Sequence, residues 1–188
     1  MDKPRCDWPG DDPLMLAYHD EEWGTACHDD ILLFEHLSLD CFQAGLSWQI
    51  ILNKRHNFKA AFDNFDFRRI AEYDAQKVEA LVQDAGIVRN RAKIKATISN
   101  AQRALDLVDE FGSLDAYLWQ FVDGQPYLGP PAHTWRDLPT TSNHSEAMSK
   151  DLKARGFKFV GPTICYATMQ ATGMVNDHQV GCFRYQPR

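Results

Sequence analysis

The sequence of 188 residues predicts an all-α fold. Apolar residues recur at spacings of three or four along most of the chain, which is the period of an amphipathic helix. Glycine and proline divide these stretches into segments of ordinary helix length, and no convincing alternating run indicates a strand. We therefore expect several short helices in a single domain over residues 1–188, whose 44% hydrophobic residues can bury a substantial core.

Helix starts in the first half are marked by side chains that can cap a helix N-terminus. The candidate caps are Asp29 or Asp30, Ser47, Asp66 and Asp74. The first of these helices ends at Ala44-Gly45, because glycine suits a C-terminal cap. The proline- and aspartate-rich segment before Asp29 contains three aromatic residues and is expected to be irregular.

The second half contains one long amphipathic run followed by shorter segments. Apolar residues from Ile94 to Val108 predict a long helix that ends at Gly112. A short helix is expected over 113–122, then a long loop over about 123–142. A helix from about 143 to 155 and another from Pro162 to Ala171 follow, since proline suits a first helical turn.

Charge is distributed unevenly around a net value of −6. Residues 1–40 contain 11 acids and 2 bases, whereas residues 41–188 contain 15 acids and 18 bases. Two stretches without acids contain the bases Arg89, Arg91, Lys93, Lys95 and Arg103, and Lys153, Arg155 and Lys158. Such local fields can attract phosphates even on an acidic protein, and they are equally consistent with ordinary solvated helix faces.

The cysteine pattern and the N-terminus indicate a cytoplasmic protein. Five scattered cysteines argue against a disulfide framework and for a reducing compartment. The first 20 residues are acidic and interrupted by prolines, unlike a signal peptide. No apolar run approaches the roughly 18 residues of a transmembrane helix, so we expect no contact with a membrane.

Two cysteine–histidine pairs lie at opposite ends of the chain. Cys6 and His19 have the spacing of a loop-borne pair, and His178 and Cys182 would share one face if their segment were helical. Together they are a Cys2His2 set of the kind that zinc takes in closed structural sites. Spacing alone does not establish such a site, because 159 residues separate the two pairs.

Two further segments contain candidate binding residues. Residues 152–171 predict a helix, a glycine-containing turn and a helix, whose amides near Gly161 and Thr163 can bind phosphate with Lys158 nearby; the alternative is a plain helical hairpin. Asp40 followed by Trp48 can hold a flat, amine-bearing or cationic ligand between a carboxylate and a ring. The alternative there is a solvated aspartate and a core tryptophan.

Six motifs occur in an order that carries a family resemblance. They are Tyr18-His-Asp-Glu-Glu-Trp-Gly24, Gln43-Ala-Gly-Leu-Ser-Trp48, Leu52-Asn-Lys-Arg55, Gln83-Asp-Ala-Gly-Ile87, Arg155-Gly-Phe-Lys-Phe-Val-Gly161 and Val175-Asn-Asp-His178. From about Cys6 to Cys182 the chain resembles the DNA-3-methyladenine glycosylase I family of the helix–hairpin–helix glycosylase superfamily. The resemblance implies a monofunctional glycosylase without lyase activity, which flips 3-methyladenine out of alkylated DNA and hydrolyses its glycosidic bond.

The resemblance also implies roles for individual residues. One structural zinc would be held by Cys6, His19, His178 and Cys182. The base pocket would be formed by Trp8, Tyr18, Trp23 and Trp48, with Asp40 as its catalytic acid and with the cation sandwiched between Trp48 and Tyr18. Leu46 would approach the gap that the extruded base leaves in DNA. The partners would be double-stranded alkylated DNA and free 3-methyladenine, bound by a monomer associated with the nucleoid.

Asp40, Met15 and Asp177 bear on how closely the chain follows the family's pattern. Asp40 is one methylene shorter than the family's usual glutamate, and Met15 stands where some relatives have another pocket tyrosine. Asp177 lies beside Asn176, which takes the place of the superfamily's catalytic aspartate. It is either a substitute catalyst or a residue that supports the metal ligand His178.

Two other readings remain open at this point. The first is a module that recognises alkylated bases without cleaving them, which the shorter acid at Asp40 would favour. The second is a zinc-containing helical protein with no role in nucleic-acid binding, which the acidic N-terminal region would favour.

Overall fold

The helices predicted from the sequence form the body of the protein. The structure is a computed structural model, and it describes residues 3–187. The α-helices of this region are α1 (Pro13–Glu21), α2 (Asp30–Gln43), α3 (Trp48–Ala61), α4 (Phe67–Ile70), α5 (Ala75–Gln83), α6 (Arg91–Phe111), α7 (Leu114–Trp119), α8 (Asn143–Ala154) and α9 (Pro162–Ala171). Single 3-10 turns lie at Asp63–Phe65, Gln120–Val122 and Trp135–Asp137. No helix among these residues is both long enough and apolar enough to cross a membrane.

The predicted caps are confirmed. The carboxylates of Asp29, Asp66 and Asp74 accept hydrogen bonds from backbone amides of the helices that follow them, and the Ser47 hydroxyl accepts from Ile50. These side chains satisfy amides that have no acceptor inside their helices. The long helix α6 ends at Gly112, whose φ of +89° is a left-handed conformation that glycine adopts without strain.

The prediction that the opening segment is irregular is wrong for residues 13–21, which form helix α1. Asp12 caps this helix by accepting from the amides of Leu14 and Met15, and Pro13 occupies its first turn. The helix buries Met15, Tyr18 and His19 on one side, where it packs on α3. Tertiary packing of these side chains therefore supplies the stability that local propensity lacks.

The predicted loop over 123–142 contains two short elements. Strand β1 (Tyr127–Leu128) pairs in parallel with β2 (Val175–Asn176), and a 3-10 turn follows at Trp135–Asp137. Among the described residues, these two strands of two residues each are the exception to the predicted fold without strands. The pairing brings the loop against the segment that contains His178 and Cys182.

Helix α2 lies at the centre of the core. Ten of its residues, from Leu33 to Phe42, are buried, and it packs against α3, α6, α7 and α9. A second, smaller apolar cluster contains Cys6, Met15, Tyr18, Trp23, Leu52 and Cys182, with Trp8 and Trp48 packed against it. The N-terminal aromatic residues thus share one cluster with cysteines from both ends of the chain.

The basic stretches identified in the sequence are only partly available to a ligand. Arg91 pairs with Glu79, Arg103 with Asp106, and Arg155 with Glu110 and Asp151. Lys93 is buried and donates to the backbone oxygens of Phe42 and Ala44 at 2.8 and 2.7 Å. Of the bases in these stretches, Arg89, Lys95, Lys153 and Lys158 are exposed and have no ion pair among the described residues.

We predict that Lys93 stabilises the end of α2. Its ammonium group satisfies two carbonyls that have no helical donor, so Lys93→Met should lower the free energy of unfolding by about 1.5–3 kcal/mol. Chemical denaturation of this variant beside Lys95→Met measures the effect, since Lys95 is exposed on the same helix. Equal stability of the two variants would contradict the assignment.

Candidate base pocket and metal centre

A cavity of about 540 Å³ opens between α1, α2, α9 and the loop that follows β1. The residues that line it are Trp8, Tyr18, Trp23, Asp40, Gln43, Trp48, Trp135, Arg136, Leu138, Pro139, Thr140, Thr163, Tyr166, Ala167 and Gln170. All five residues predicted to bind the base are therefore brought to one cavity, although Trp8 and Trp48 are 40 positions apart. The lining is mostly aromatic and apolar with few polar groups, as in many small-molecule sites.

The aromatic residues are positioned by the helix ends around them. Tyr18 lies on α1, Trp23 directly follows α1, and Trp48 is the first residue of α3. The ring centroids of Trp8 and Trp23 are 5.0 Å apart in an edge-to-face contact. Such contacts fix ring orientation, so the aromatic wall is formed before any ligand enters.

The sandwich predicted between Trp48 and Tyr18 does not fit this structure. Their ring centroids are 5.1 Å apart with an angle of 42° between the planes. A base held between two rings needs about 7 Å, which is twice a van der Waals contact of about 3.5 Å. The two rings already contact each other, so a base can stack on an outer face of this pair but not between them.

Asp40 is the acidic group inside the cavity. It is 2% exposed, and its Oδ2 accepts a hydrogen bond of 2.8 Å from the Thr168 hydroxyl on α9. Burial raises the pKa of Asp40 to about 7, although His36 and the Thr168 bond act in the opposite direction. A cationic ligand would give the Asp40 carboxylate a positively charged partner, and an amine-bearing ligand would give it a further hydrogen-bond donor.

Asp177 supports the cavity wall and makes no hydrogen bond to a metal ligand in the described chain. Its Oδ2 accepts from the Tyr166 hydroxyl at 2.6 Å and from Gln170 Nε2 at 2.7 Å, and both donors line the cavity. Gly129 lies so close that a Cβ there would overlap Asp177 Oδ1. Asp177 therefore hydrogen-bonds to residues of the cavity wall, whereas one of its two predicted roles was to support the metal ligand His178.

Met15 does not line the cavity. It is buried in the small cluster that also contains Tyr18, where it fills space as an apolar side chain.

Nine lining residues were not predicted as site residues: Gln43, Trp135, Arg136, Leu138, Pro139, Thr140, Tyr166, Ala167 and Gln170. Four of these lie on α2 or α9, and their helical spacing from Asp40 or Thr163 is a signal that could have identified them. The other five belong to the loop, which folds over the cavity through long-range contacts that no local pattern indicates.

The predicted helix–turn–helix is present as α8 and α9, and it borders the cavity. Gly161 is the N-cap of α9, Thr163 lines the cavity, and Lys158 is exposed in the turn. The amides of Thr163 and Ile164 lie in the first turn, where no helical acceptor exists. Leu46 lies in the turn between the lining residues Gln43 and Trp48, and it is 39% exposed.

The turn of this hairpin is held by side chains from elsewhere in the fold. Asn100 on α6 bonds both the amide and the oxygen of Lys158, at 2.8 and 3.0 Å. The Ser149 hydroxyl donates to the oxygen of Val160 at 2.6 Å. Phe159 between them has a φ of +56°, a left-handed conformation that these contacts maintain. The turn therefore presents its exposed groups in a fixed geometry.

The four predicted metal ligands converge in a buried cluster. Ligand atoms of Cys6, His19, His178 and Cys182 all lie within 4.8 Å of one another. Sulfur–nitrogen distances are 3.5 Å for Cys182–His19 and 3.6 Å for Cys6–His178 and Cys182–His178. Zinc bonds of about 2.3 Å to sulfur and 2.0–2.1 Å to nitrogen at a tetrahedral angle require about 3.5 Å, so the residues fit this ion.

The outer nitrogens of the two histidines have acceptors of their own. His19 Nδ1 is 2.8 Å from the carboxylate of Asp20, and His178 Nε2 is 3.0 Å from the backbone oxygen of Trp23. These contacts leave Nε2 of His19 and Nδ1 of His178 as ligand atoms. Gly24 is required beside this contact, because a Cβ there would lie 2.8 Å from His178 Nε2.

Burial determines the protonation of this cluster. It lowers the pKa of His178 to about 4 and raises that of Cys6 to about 12. Neutral imidazoles are ready to bind a metal, whereas the Cys6 thiol needs a cation to become a thiolate. Backbone amides of Gln179 and Arg184 already point at the two sulfurs, at 3.3 and 3.4 Å.

The local structure of both ligand pairs differs from expectation. His19 lies on α1 and not on a loop, and the segment from His178 to Cys182 is not helical. The four side chains converge through tertiary packing of the two chain ends.

Sequence comparison places the chain in a characterised group of enzymes. Residues 8–185 match the family described as Methyladenine glycosylase. DNA-3-methyladenine glycosylase 1 of Escherichia coli is 49% identical over 181 residues, which cover 96% of each chain. DNA-3-methyladenine glycosylase of Haemophilus influenzae is 40% identical over 178 residues, which cover 95% of this chain and 96% of the relative.

Solved structures agree with this placement. A crystal structure of 3-methyladenine DNA glycosylase I superposes with a TM-score of 0.93 at 49% identity, covering 97% of this chain and all of the other. A Staphylococcus aureus glycosylase I, whose structure describes the basis of 3-methyladenine recognition, superposes with a TM-score of 0.92 at 33% identity, covering 98% of this chain and 97% of the other. The chain therefore belongs to the methyladenine glycosylase family and is an enzyme of the DNA glycosylase type.

Proposed function

We propose that the protein excises 3-methyladenine from alkylated double-stranded DNA by hydrolysis of the N-glycosidic bond. The observation that carries the proposal is the buried carboxyl of Asp40 inside an aromatic cavity of about 540 Å³. Alkylation at N3 gives the adenine a positive charge, and a ring cavity with one acid suits a flat cation. The E. coli and H. influenzae relatives named for this activity support the same substrate.

The base reaches the cavity by extrusion from the duplex. Asp40 is only 2% exposed inside the cavity, so a base that is still stacked in DNA cannot reach it and the nucleotide must flip. The hairpin amides near Gly161 and Thr163, together with Lys158, hold the DNA backbone beside the mouth. Leu46, exposed on the neighbouring turn, fills the gap that the base leaves.

Asp40 recognises the alkylated base. Its Oδ1 has no hydrogen bond within the described structure and accepts from the exocyclic amine, while Oδ2 stays bonded to Thr168. The positive charge of the base favours the ionised form of a carboxyl whose pKa burial raises to about 7. The base stacks on one outer face of the ring pair that Trp48 and Tyr18 form.

Bond cleavage needs little acid assistance because the base leaves as a neutral molecule. Water adds to C1′ of the sugar, the C1′–N9 bond breaks with its electrons passing to the base, and the water releases a proton to solvent. The products are free 3-methyladenine and an abasic site. No lysine lines the cavity in the described chain, and a lyase step would need such an amine, so we propose a monofunctional enzyme.

The Cys2His2 cluster binds one structural zinc ion in this proposal. With four protein ligands the ion has no open position, so it supplies stability and no Lewis-acid chemistry. It ties the segment that contains Trp8 and Tyr18 to the C-terminal segment. The protein acts as a monomer on nucleoid DNA.

Base release tests the activity directly. Purified protein incubated with methylated DNA should release 3-methyladenine above the spontaneous rate, detected by chromatography, and leave abasic sites without strand cleavage. Binding of the methylated duplex without release would instead support the non-cleaving recognition module. Absence of salt-dependent DNA binding would support a protein with no nucleic-acid role.

A further inference from the structure

The 3-10 turn at Trp135–Asp137 forms part of the rim of the cavity. This rim has no role in the proposed mechanism. Trp135 and Arg136 both line the opening, and Trp135 is 51% exposed. The Arg136 guanidinium lies over the indole of Trp135, 4.7 Å from the ring centroid. An exposed aromatic residue with a stacked arginine beside a nucleotide site indicates a contact with substrate.

This rim is fixed to the body of the protein by hydrogen bonds. The Trp135 amide donates to the Asp7 carboxylate at 3.1 Å, and the Asp7 amide donates to Gln179 Oε1 at 2.9 Å. The Val180 amide donates to the oxygen of Ala132 at 2.7 Å. The backbone of the rim therefore has a defined position before substrate binds, which lowers the entropic cost of ordering it.

The positive charge of Arg136 is not neutralised by an ion pair in the described chain. The neighbouring Asp137 carboxylate instead accepts from the amides of His133 and Thr134 and from the Thr134 hydroxyl. A planar guanidinium that is free of carboxylates is suited to a phosphate, which it can bind through two parallel hydrogen bonds.

The alkylated base itself is the wrong partner for this group. Two positive charges about 4 Å apart repel by about 4 kcal/mol near a protein surface. The other charged group that an extruded nucleotide brings to the cavity mouth is its backbone phosphate. A guanidinium at the rim attracts that phosphate while the base passes on to Asp40.

We propose that Arg136 binds the backbone phosphate beside the extruded nucleotide, with Trp135 holding the guanidinium in place. The proposal rests on the function proposed above. It adds a substrate-binding residue that lies outside every sequence motif and outside the α8–α9 hairpin.

Binding to a duplex that contains one tetrahydrofuran abasic nucleotide tests the role of Arg136. Arg136→Gln should weaken this binding about tenfold and reduce the slope of log affinity against log salt by about 0.9, the value of one phosphate contact. Arg136→Lys should restore part of the affinity because it keeps the charge. Arg68→Gln is the matched control, since Arg68 is also exposed and stacked on a ring but lies outside the cavity.

Two further measurements separate this contact from other effects. Arg136→Gln should weaken binding of an undamaged duplex less than it weakens binding of the abasic duplex. The variant should keep the wild-type affinity for free 3-methyladenine. An unchanged salt slope, an equal loss on both duplexes or a loss of free-base affinity would each overturn the proposal. Failure of the wild-type protein to release bases would refute the glycosylase function, while the salt slopes would still report on Arg136.

Discussion

Replacement of His178 by alanine should remove the metal and destabilise the protein. We expect the purified wild type to contain about one zinc per chain and the variant to contain much less. The free energy of unfolding should fall by at least about 3 kcal/mol, because structural zinc contributes about 10–16 kcal/mol of binding energy in zinc-finger peptides. Elemental analysis and thermal unfolding measure the two effects.

The matched control for this variant is His56→Ala, an exposed histidine outside the cluster. It should change neither metal content nor stability. A chelator should reproduce the effect of His178→Ala on the wild type. Metal-free protein with undiminished thermal stability would show that the four side chains do not form a zinc site.

Loss of the metal should also affect the base pocket, because the ligands adjoin its aromatic wall. His19 directly follows Tyr18, and Cys6 is two residues before Trp8. We infer that the variant loses affinity for free 3-methyladenine more than for undamaged DNA, since the hairpin at α8 and α9 lies outside the metal cluster.

Helix ends and pocket aromatics were predictable from the sequence because their signals are local or family-wide. Capping by Asp29, Ser47 and Asp74 depends on a side chain within three residues of its acceptor amide. The helix α1 was missed because its stability comes from burial of Tyr18 and His19 against other elements, which local propensity does not report.

The cavity rim could not be predicted for a different reason. Residues 132–135 are held by Asp7 and Val180, which are more than 40 positions away along the chain. Long-range bonds of this type leave no periodic pattern. The prediction that the base lies between Tyr18 and Trp48 was wrong for a related reason. The sequence can place two rings in one pocket, but it does not define the distance between them.

Asp40→Asn should make the protein more stable at neutral and alkaline pH. Burial raises the pKa of Asp40 to about 7, whereas the unfolded chain has an aspartate pKa of about 3.9. Between these values the folded protein retains a proton that the unfolded chain releases, so stability falls as pH rises from about 4 to 7. Asparagine has no such proton, and at pH 8 the variant should exceed the wild type by about 1–3 kcal/mol.

The same substitution should impair recognition of the base. Loss of the carboxylate should lower affinity for free 3-methyladenine and kcat/KM for excision by about 10- to 100-fold, the range for a hydrogen bond to a charged group. The wild type should lose activity as pH falls below about 7 and Asp40 becomes protonated. That decline should be absent from the variant's residual activity.

Comparison with Asp109→Asn distinguishes this effect from a general change in charge. Asp109 is an exposed acid on α6, so its replacement should alter neither stability nor base affinity. Non-specific DNA binding should be the same for both variants, because the hairpin is intact. A more stable Asp40→Asn protein with weaker base binding would show that the buried carboxyl is kept for recognition at a cost in stability. Unchanged base affinity would mean that Asp40 is not the recognition acid.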